Sequence, residues 1–332
     1  MTLGETTLDV RPFDGRRATE AEIDEYHELR CAVYRVDIPE MPTPTRSETV
    51  SRLAAPQLIL GDRLMWFARL DGRLAGTVSV YMLDEGGKRV AIVQVLVRPD
   101  LRRQGIGTQL LRGVVPTLRE AGRTEVQGWD ITADGAGDHW TKSLGFRVVH
   151  TTVLQVLTFA EVDPGLWDVA VPEGYRLVSW TDTAPDDVLE PYVAALGGLA
   201  DATSGDSGVT LSDWSVERVR QLEADYAEHG IERRSILAVN AEGEAAGVTE
   251  LEQRPQNPER LFQGATAVLA DHRGHGLGVA MKAAMLRWFT ADNEGLREVW
   301  TSTGSDNTHM IEVNCRLGFE IARRSSVVSL PL

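Results

Sequence analysis

A glycine-rich turn that occurs twice sets the terms for what this chain can fold into. The first copy reads Val97-Arg98-Pro99-Asp100-Leu101-Arg102-Arg103-Gln104-Gly105-Ile106-Gly107-Thr108. The second reads Val268-Leu269-Ala270-Asp271-His272-Arg273-Gly274-His275-Gly276-Leu277-Gly278. Each follows a β-branched apolar run and opens a helical pattern, so each predicts a strand, a tight basic turn and a helix N-terminus. Such a terminus presents unpaired backbone N–H groups and the positive end of the helix dipole. With an Arg beside it, the assembly is an anion cradle.

The spacing of landmarks shows a duplication. Gly105 and Gly276 are 171 positions apart, and the triplets Leu144-Gly145-Phe146 and Leu317-Gly318-Phe319 are 173 apart. Two landmarks that agree so closely imply a repeated unit of about 160 residues, too long for a solenoid repeat. The 332 residues therefore predict two domains, 1–160 and 173–332, joined by a linker at 161–172 whose Asp163-Pro164-Gly165 has turn chemistry.

Within each half the order of elements repeats. Thr19 and Glu22 form a capping box before a helical pattern through Ile23, Tyr26, Leu29 and Val33. Leu64–Leu70 and Leu74–Leu83 flank an Asp71-Gly72 hairpin turn, and Gly86-Gly87 makes the next turn before the strand Val90–Val97. Helical spacing through Leu110, Leu111, Val114 and Leu118 ends at Ala121-Gly122, and a strand follows at Thr124–Trp129. The second half repeats this with a strand at Tyr175–Trp180, helices at Pro185–Leu199 and Ser212–His229, and a hairpin around Glu242-Gly243. Pro255 and Pro258 predict a loop before the strand Leu261–Val268. Strands outnumber helices and hairpins come first, so the expected class is α/β (α+β). Each domain is then a mixed, largely antiparallel sheet flanked by helices.

Composition narrows the partners. A net charge of −15 disfavours nucleic acid and mildly favours an amine-bearing ligand. No apolar stretch reaches the length of a membrane span, and MTLGETTLDVRPFDG lacks signal-peptide regions, which predicts a cytoplasmic protein with no membrane partner. Two cysteines, Cys31 and Cys315, argue for a reducing compartment. His272 and His275 have no third ligand nearby in the sequence, so no metal is expected.

A dinucleotide fingerprint needs a third glycine and a later acidic residue, and a P-loop needs Gly-Lys-Ser/Thr; neither copy has them. What remains is Arg-x-x-Gly-x-Gly after an apolar strand, with Leu-Gly-Phe some forty residues on. In this the chain resembles the GNAT superfamily of acyl-CoA N-acetyltransferases, in its tandem two-domain form. The resemblance implies acetyl-CoA as co-substrate and a small-molecule amine as acceptor, with the enzyme a monomer or homodimer. It implies that Leu96 and Val97, or Val268 and Leu269, flank the pantetheine arm. The pyrophosphate would then lie on Arg102, Arg103, Gln104, Gly105, Ile106, Gly107 and Thr108, or on Arg273, Gly274, His275, Gly276, Leu277 and Gly278. The alternatives are a CoA-binding pseudo-enzyme or sensor, or a protein N-terminal or lysine acetyltransferase.

The family's usual Glu base falls on Ala91 and Phe262 here, and its Tyr acid on Thr141 and Asn314. The second half carries more polar groups. Glu250 and Glu252 alternate on one face of a strand, and Asn307 and Asn314 share a helix face. The expected chemistry is therefore in the second domain, with Glu250 or Glu252 as base and Asn307 and Asn314 orienting CoA or acceptor. His27, Tyr26 and Tyr34 lie where the family's first helix walls an acceptor site. The loops at Pro39–Pro44 and Asp201–Thr210 read as lids.

Overall fold

The structure, a computed structural model, describes residues 8–54, 63–83, 90–201 and 214–332. The expected turn at Gly86-Gly87, the start of the helix at Ser212 and the loop expected over Asp201–Thr210, beyond Asp201, lie outside the described residues. Contacts divide the described chain into two units. Unit 1 holds residues up to His150 together with Ser325–Leu332, and unit 2 holds the residues from Thr151 to Arg324.

The first half of the chain forms β1 (Leu8–Phe13), α1 (Glu20–Asp37), α2 (Arg46–Ala54), β2 (Arg63–Leu70) and β3 (Arg73–Leu83). It continues with β4 (Val90–Val97), α3 (Ile106–Glu120), β5 (Glu125–Thr132) and α4 (Ala136–Ser143). β6 (Arg147–Thr158) closes the first half, and the second half forms β7 (Tyr175–Thr181), α5 (Asp186–Gly197), α6 (Val216–Glu228), β8 (Glu232–Asn240) and β9 (Ala245–Arg254). It ends with β10 (Asn257–Val268), α7 (Leu277–Asp292), β11 (Glu298–Gly304), α8 (Thr308–Arg316) and β12 (Glu320–Pro331).

The sheet of unit 1 runs β1-β2-β3-β4-β5-β12, and that of unit 2 runs β7-β8-β9-β10-β11-β6. In each, the fourth and fifth strands are parallel, and the other described pairings are antiparallel. The sixth strand of each sheet comes from the other half of the sequence. Ser325–Pro331 of β12 pairs with β5, and β6 pairs with β11 along Thr158–Thr152. Contact clusters are therefore not contiguous stretches of chain. The segment expected as a linker holds a single 3₁₀ turn at Pro164–Trp167, whose buried Trp167 donates from Nε1 to the Leu317 carbonyl at 3.0 Å in unit 2.

Local chemistry explains the elements that position the site. The Thr19 hydroxyl accepts the Glu22 N–H while the Glu22 carboxylate accepts the Thr19 N–H at 2.9 Å, closing the capping box that starts α1. Its apolar stripe, Ile23, Tyr26, Leu29 and Val33, is buried with Met65, Phe67 and Leu74 on one face of sheet 1. α3 covers the opposite face through Ile106, Leu110, Val114 and Leu118. Unit 2 has the same layering: α7 packs on one face of its sheet, and α5 and α6 on the other. β10 begins at Asn257, so Pro258 lies within a strand, in an irregular stretch where the ladder skips from Asn257 to Leu261 and no proline N–H is needed. Among the described residues no helix is long and apolar enough to cross a membrane.

Candidate active site

Both glycine-rich turns have one backbone. A short 3₁₀ turn, Pro99–Leu101 or Ala270–His272, is followed by an Arg and then by a residue in left-handed conformation, Arg103 (φ 66°) or Gly274 (φ 82°). The helix then starts from a left-handed N-cap glycine, Gly105 (φ 78°) or Gly276 (φ 80°), with no side-chain cap on either. Residues 106–108 and 277–279 thus begin helices with N–H groups that have no intrahelical partner, aimed outward beside exposed Gly105 or Gly276.

The strand entering each turn is fixed by a bulge in its neighbour. Ala75 in β3 and Ala246 in β9 are extra residues in their ladders, and their carbonyls accept the N–H of Arg98 and of Leu269, each at 2.9 Å. The glycine after each bulge cannot be replaced without movement. A Cβ on Gly76 would lie 2.6 Å from the Leu96 carbonyl oxygen, and one on Gly247 would lie 2.7 Å from that of Ala267.

The cradles differ in their side chains. Arg102 and Arg273 both fold back, Nε donating to the carbonyl of Val97 at 3.2 Å and of Val268 at 3.0 Å. Arg102 is also clamped by both oxygens of Asp37, at 2.7 Å each. The Arg expected to neutralise an anion in unit 1 therefore already has its counter-charge on α1. A Cβ on Gly107 would meet the Trp140 indole at 3.4 Å, and Trp140 Nε1 donates to the Thr108 hydroxyl at 3.2 Å, covering the first turn of α3. A Cβ on Gly278, the equivalent of Gly107, would meet no more than the Val268 side chain, at 3.9 Å, among the described residues. The exposed His275 and the half-buried His272 lie beside Tyr175, whose hydroxyl is 3.0 Å from His272 Nδ1.

Past each cradle-bearing strand the sheet opens. β4 pairs with β5 only over Val90–Ile92, and β10 with β11 only over Arg260–Phe262, so the two parallel strands separate as they approach the turn. Here the units diverge. β4 keeps continuous register with β3 from Val90 to Val97. β10 carries a bulge: Gln263 faces Leu251 and Thr266 faces Thr249, which leaves Gly264 and Ala265 opposite the single residue Glu250. A bulge turns a backbone N–H out of the ladder and toward a ligand or a side chain.

Glu250 occupies that position. Its Oε2 accepts the Ala265 N–H at 3.3 Å, and its Oε1 accepts the Tyr192 hydroxyl and lies 3.7 Å from Arg233 Nη1. A Cβ on Gly264 would approach Glu250 Cβ to 3.2 Å, so glycine lets the carboxylate lie over the bulge. Glu252, two residues on, accepts the Tyr226 hydroxyl at 2.5 Å and Arg254 Nη2 at 3.2 Å. Glu223 completes the group, 3.6 Å from Arg233 Nη2 and bonded to the Ala184 N–H at 2.8 Å. Burial first, and the neighbouring carboxylate second, raise the pKa of Tyr192 and of Tyr226 above the phenol range, so each stays a donor to its glutamate. Glu223 and Glu250 flank the Arg233 guanidinium, while Arg220 pairs with Glu223 at 2.7 Å and Arg254 with Glu252, so this α5/α6 face carries carboxylates held by arginines.

A polar string runs on the α7 side. Lys282, buried on α7, donates to Gln263 Oε1 and lies 5.4 Å from the Phe319 ring. Gln263 Nε2 donates to Thr249 Oγ1 at 3.2 Å, which lies 2.9 Å from Thr266 Oγ1. Burial pulls the Lys282 ammonium down to about pKa 7. Asn314 is fully buried on α8 and donates to Gln155 Oε1 at 2.9 Å, its own Oδ1 having no hydrogen-bond partner among the described residues. Asn307 caps α8, accepting the Met310 N–H at 3.1 Å.

The sequence-derived residues thus fall in three places. The cradle residues and the strands Leu96-Val97 and Val268-Leu269 lie together in their own units. Glu250 and Glu252 share the α5/α6 face beside the bulge, whereas Asn307 and Asn314 lie on α8 with capping and β6 partners. Tyr192, Tyr226, Arg233 and Lys282 carry no motif; only the structure brings them to the bulge.

Comparison with known proteins agrees with this geometry. The model of the acetyltransferase (GNAT) family matches residues 25–146 and 204–319, one match for each repeat. A mycothiol acetyltransferase of Saccharomonospora viridis is 30% identical over 315 residues, 91% of this chain and 94% of that protein. Another, from Actinosynnema mirum, is 28% identical over 76% of this chain and 78% of its own. A solved tandem GNAT protein from the clavulanic acid biosynthesis pathway superposes with a TM-score of 0.79 at 26% identity, covering 98% of both chains. A GCN5-related N-acetyltransferase of Sphaerobacter thermophilus shares the fold at TM-score 0.76 and 17% identity, over 98% of this chain and 95% of that one. With a matched domain in each repeat, a cradle in each and a relative aligned nearly end to end, the chain belongs to the GNAT family and is a tandem-domain N-acetyltransferase.

Proposed function

We propose that unit 2 moves the acetyl group of acetyl-CoA to the amine of a small molecule, by direct attack of the amine on the thioester. The observation that carries this is the bulge at Gly264-Ala265 with Glu250 over it, which unit 1 lacks. The backbone N–H groups of 277–279 at exposed Gly276 would hold the pyrophosphate, with Val268 and Leu269 alongside the pantetheine. His275 and Arg273 border that cradle. The Ala265 bulge amide, which the Glu250 carboxylate accepts in this structure, would polarise the thioester carbonyl once Glu250 turns to the amine, a contribution worth about 3 kcal/mol in comparable oxyanion sites.

The buried carboxylates of this face favour an amine acceptor. Glu250 would take the ammonium proton, directly or through water, and Glu252 would help hold the amine. Tyr192 and Arg233 fix Glu250 in place, so they are positioning residues. Lys282, whose ammonium titrates at about 7 and which is joined to the bulge strand through Gln263, would in its protonated form give a proton to the departing thiolate from the α7 side and be left as the neutral amine. Asn314 and Asn307 support α8 behind that opening. The relatives named as mycothiol acetyltransferases support a small-molecule acceptor of that kind. Unit 1 keeps a cradle at Gly105-Ile106-Gly107 but has a regular β4 and an indole over α3; we take it as a CoA-binding unit without turnover.

The test is acetyl transfer by the purified chain from acetyl-CoA to a panel of small amines, including the acceptor of the mycothiol acetyltransferases, with the product found by mass. Turnover on one amine supports the proposal. CoA binding with no turnover on any amine would support a sensor instead.

A further inference from the structure

Unit 1 carries, on the face equivalent to the one that holds Glu250 and Glu252 in unit 2, a cluster of arginines and tyrosines. Arg63 on β2 pairs across the ladder with Tyr81 on β3, and Gln94 on β4 lies on the same side. α1 and α2 cover them. Arg52 on α2 donates to Gln94 Oε1 at 2.6 Å, and its backbone carbonyl accepts from Arg63 Nη2. Arg30 on α1 is buried, donates to the Thr49 hydroxyl at 2.9 Å and lies 5.8 Å from the Tyr34 ring. Tyr26, Tyr34 and Tyr81 all lie within the field of Arg52.

Among the described residues these cations have only neutral partners. Among the described residues no carboxylate pairs with Arg30, Arg52 or Arg63. The acidic residues nearby are engaged elsewhere: Glu22 with Thr19, Glu25 with Arg69, Glu20 and Asp24 with Arg46, and Glu48 with the Thr45 N–H. Four donor atoms on three residues of the cluster are also unsatisfied among the described residues. The fully buried Tyr26 hydroxyl, the Tyr81 hydroxyl, and Nε with Nη1 of Arg63 have no hydrogen-bond partner. Buried donors and buried cations each cost free energy unless a partner of suitable charge meets them.

We propose that this face of unit 1 is a binding site for a small anion bearing a carboxylate or phosphate. Planar guanidinium groups match such oxyanions in pairs, and two phenol hydroxyls supply further donors of the right kind. The contrast with unit 2 is residue for residue. Ser79 and Tyr81 stand on β3 where Glu250 and Glu252 stand on β9, one position facing Met65 or Ser235 and the other facing Arg63 or Arg233. Removing the two carboxylates and adding Arg30 and Arg52 turns an amine-selecting face into an anion-selecting one. The anion comes either from a free metabolite or from the acyl end of an acyl-CoA with a distal carboxylate.

The experiment is calorimetric titration of the full chain with sodium phosphate, sodium succinate, acetyl-CoA and succinyl-CoA, in chloride buffer. The proposal expects phosphate or succinate to bind, or succinyl-CoA to bind more tightly than acetyl-CoA. In each case Arg52→Met should weaken that binding at least about tenfold, the cost of losing one charged hydrogen-bonding partner. Free-anion binding identifies a metabolite site, and a preference for succinyl-CoA identifies an acyl-end site. Tyr81→Phe removes only an unpartnered hydroxyl, so it keeps the test open where Arg52→Met folds poorly; it should weaken the same binding several-fold. The proposal is overturned where the wild-type chain binds neither free anion and does not discriminate the two thioesters. Binding unchanged in both variants overturns it equally.

Discussion

Replacing Lys282 by Met should stabilise the protein, and by an amount that depends on pH. Lys282 is buried with no carboxylate partner, and burial lowers its pKa from 10.5 to about 7. Between these values the folded chain holds the amine neutral while the unfolded chain holds it protonated. The unfolded state then binds more protons, so this group's contribution to stability rises with pH across that window and is flat below it. The full difference corresponds to ~5 kcal/mol at low pH. At pH 7.5 about 4 kcal/mol of it remains, and at pH 9.5 about 1.5 kcal/mol. Against this, Met leaves Gln263 Oε1 without its donor, at a cost of ~1–2 kcal/mol. The variant should therefore be more stable by ~2–3 kcal/mol at pH 7.5 and roughly equal to wild type at pH 9.5. Urea unfolding of both proteins at the two pH values measures this. A difference between the proteins that stays constant from pH 7.5 to 9.5 would refute the claim that Lys282 is buried neutral.

Glu250→Gln keeps the side chain's shape but removes the proposed base, so kcat for acetyl transfer should fall ~100-fold or more while KM for acetyl-CoA moves little; steady-state kinetics against both substrates would show it. An equal loss in both parameters would point to damage at the cradle instead. Gly247→Ala adds a methyl 2.7 Å from the Ala267 carbonyl oxygen and 3.0 Å from Met281 Cε, and should destabilise unit 2 by ~1–3 kcal/mol in urea melts. A stability unchanged by that methyl would show that the entry to the second cradle is less tightly set than these distances imply.

Much of this fold could be read along the chain because its strongest constraints are local. Left-handed glycines, a capping box and an Asp-Gly hairpin turn each act over a few residues, so Gly105, Gly276, Thr19 and Asp71 announce their elements. The exchange of sixth strands could not be read, because β12 and β6 find partners far away in sequence and an apolar alternation does not name its neighbour. The carboxylates were legible as a pair on one strand face, but which face they share follows only from α5 and α6, which bring Tyr192 and Tyr226 to them. Arg102 reads as an anion ligand; its bond to Asp37, at the end of a helix 65 residues earlier, is a tertiary contact with no local sign. Lys282 was the least visible. A lysine in a helix is ordinarily solvated, and it is buried here because Ala280, Met281, Ala283 and Met285 surround it with apolar neighbours on a helix buried on most of its faces.

The central claim is that unit 2 performs the transfer and unit 1 does not. Gly105 and Gly276 allow a matched test, since each is a left-handed N-cap with nothing closer than 3.9 Å to an added Cβ. Gly105→Glu and Gly276→Glu therefore impose the same backbone strain and place the same negative charge in each cradle. Acetyl transfer by the two variants, measured side by side, should be abolished in Gly276→Glu and retained in Gly105→Glu. Full activity in Gly276→Glu with loss in Gly105→Glu would contradict the account and move the chemistry to unit 1.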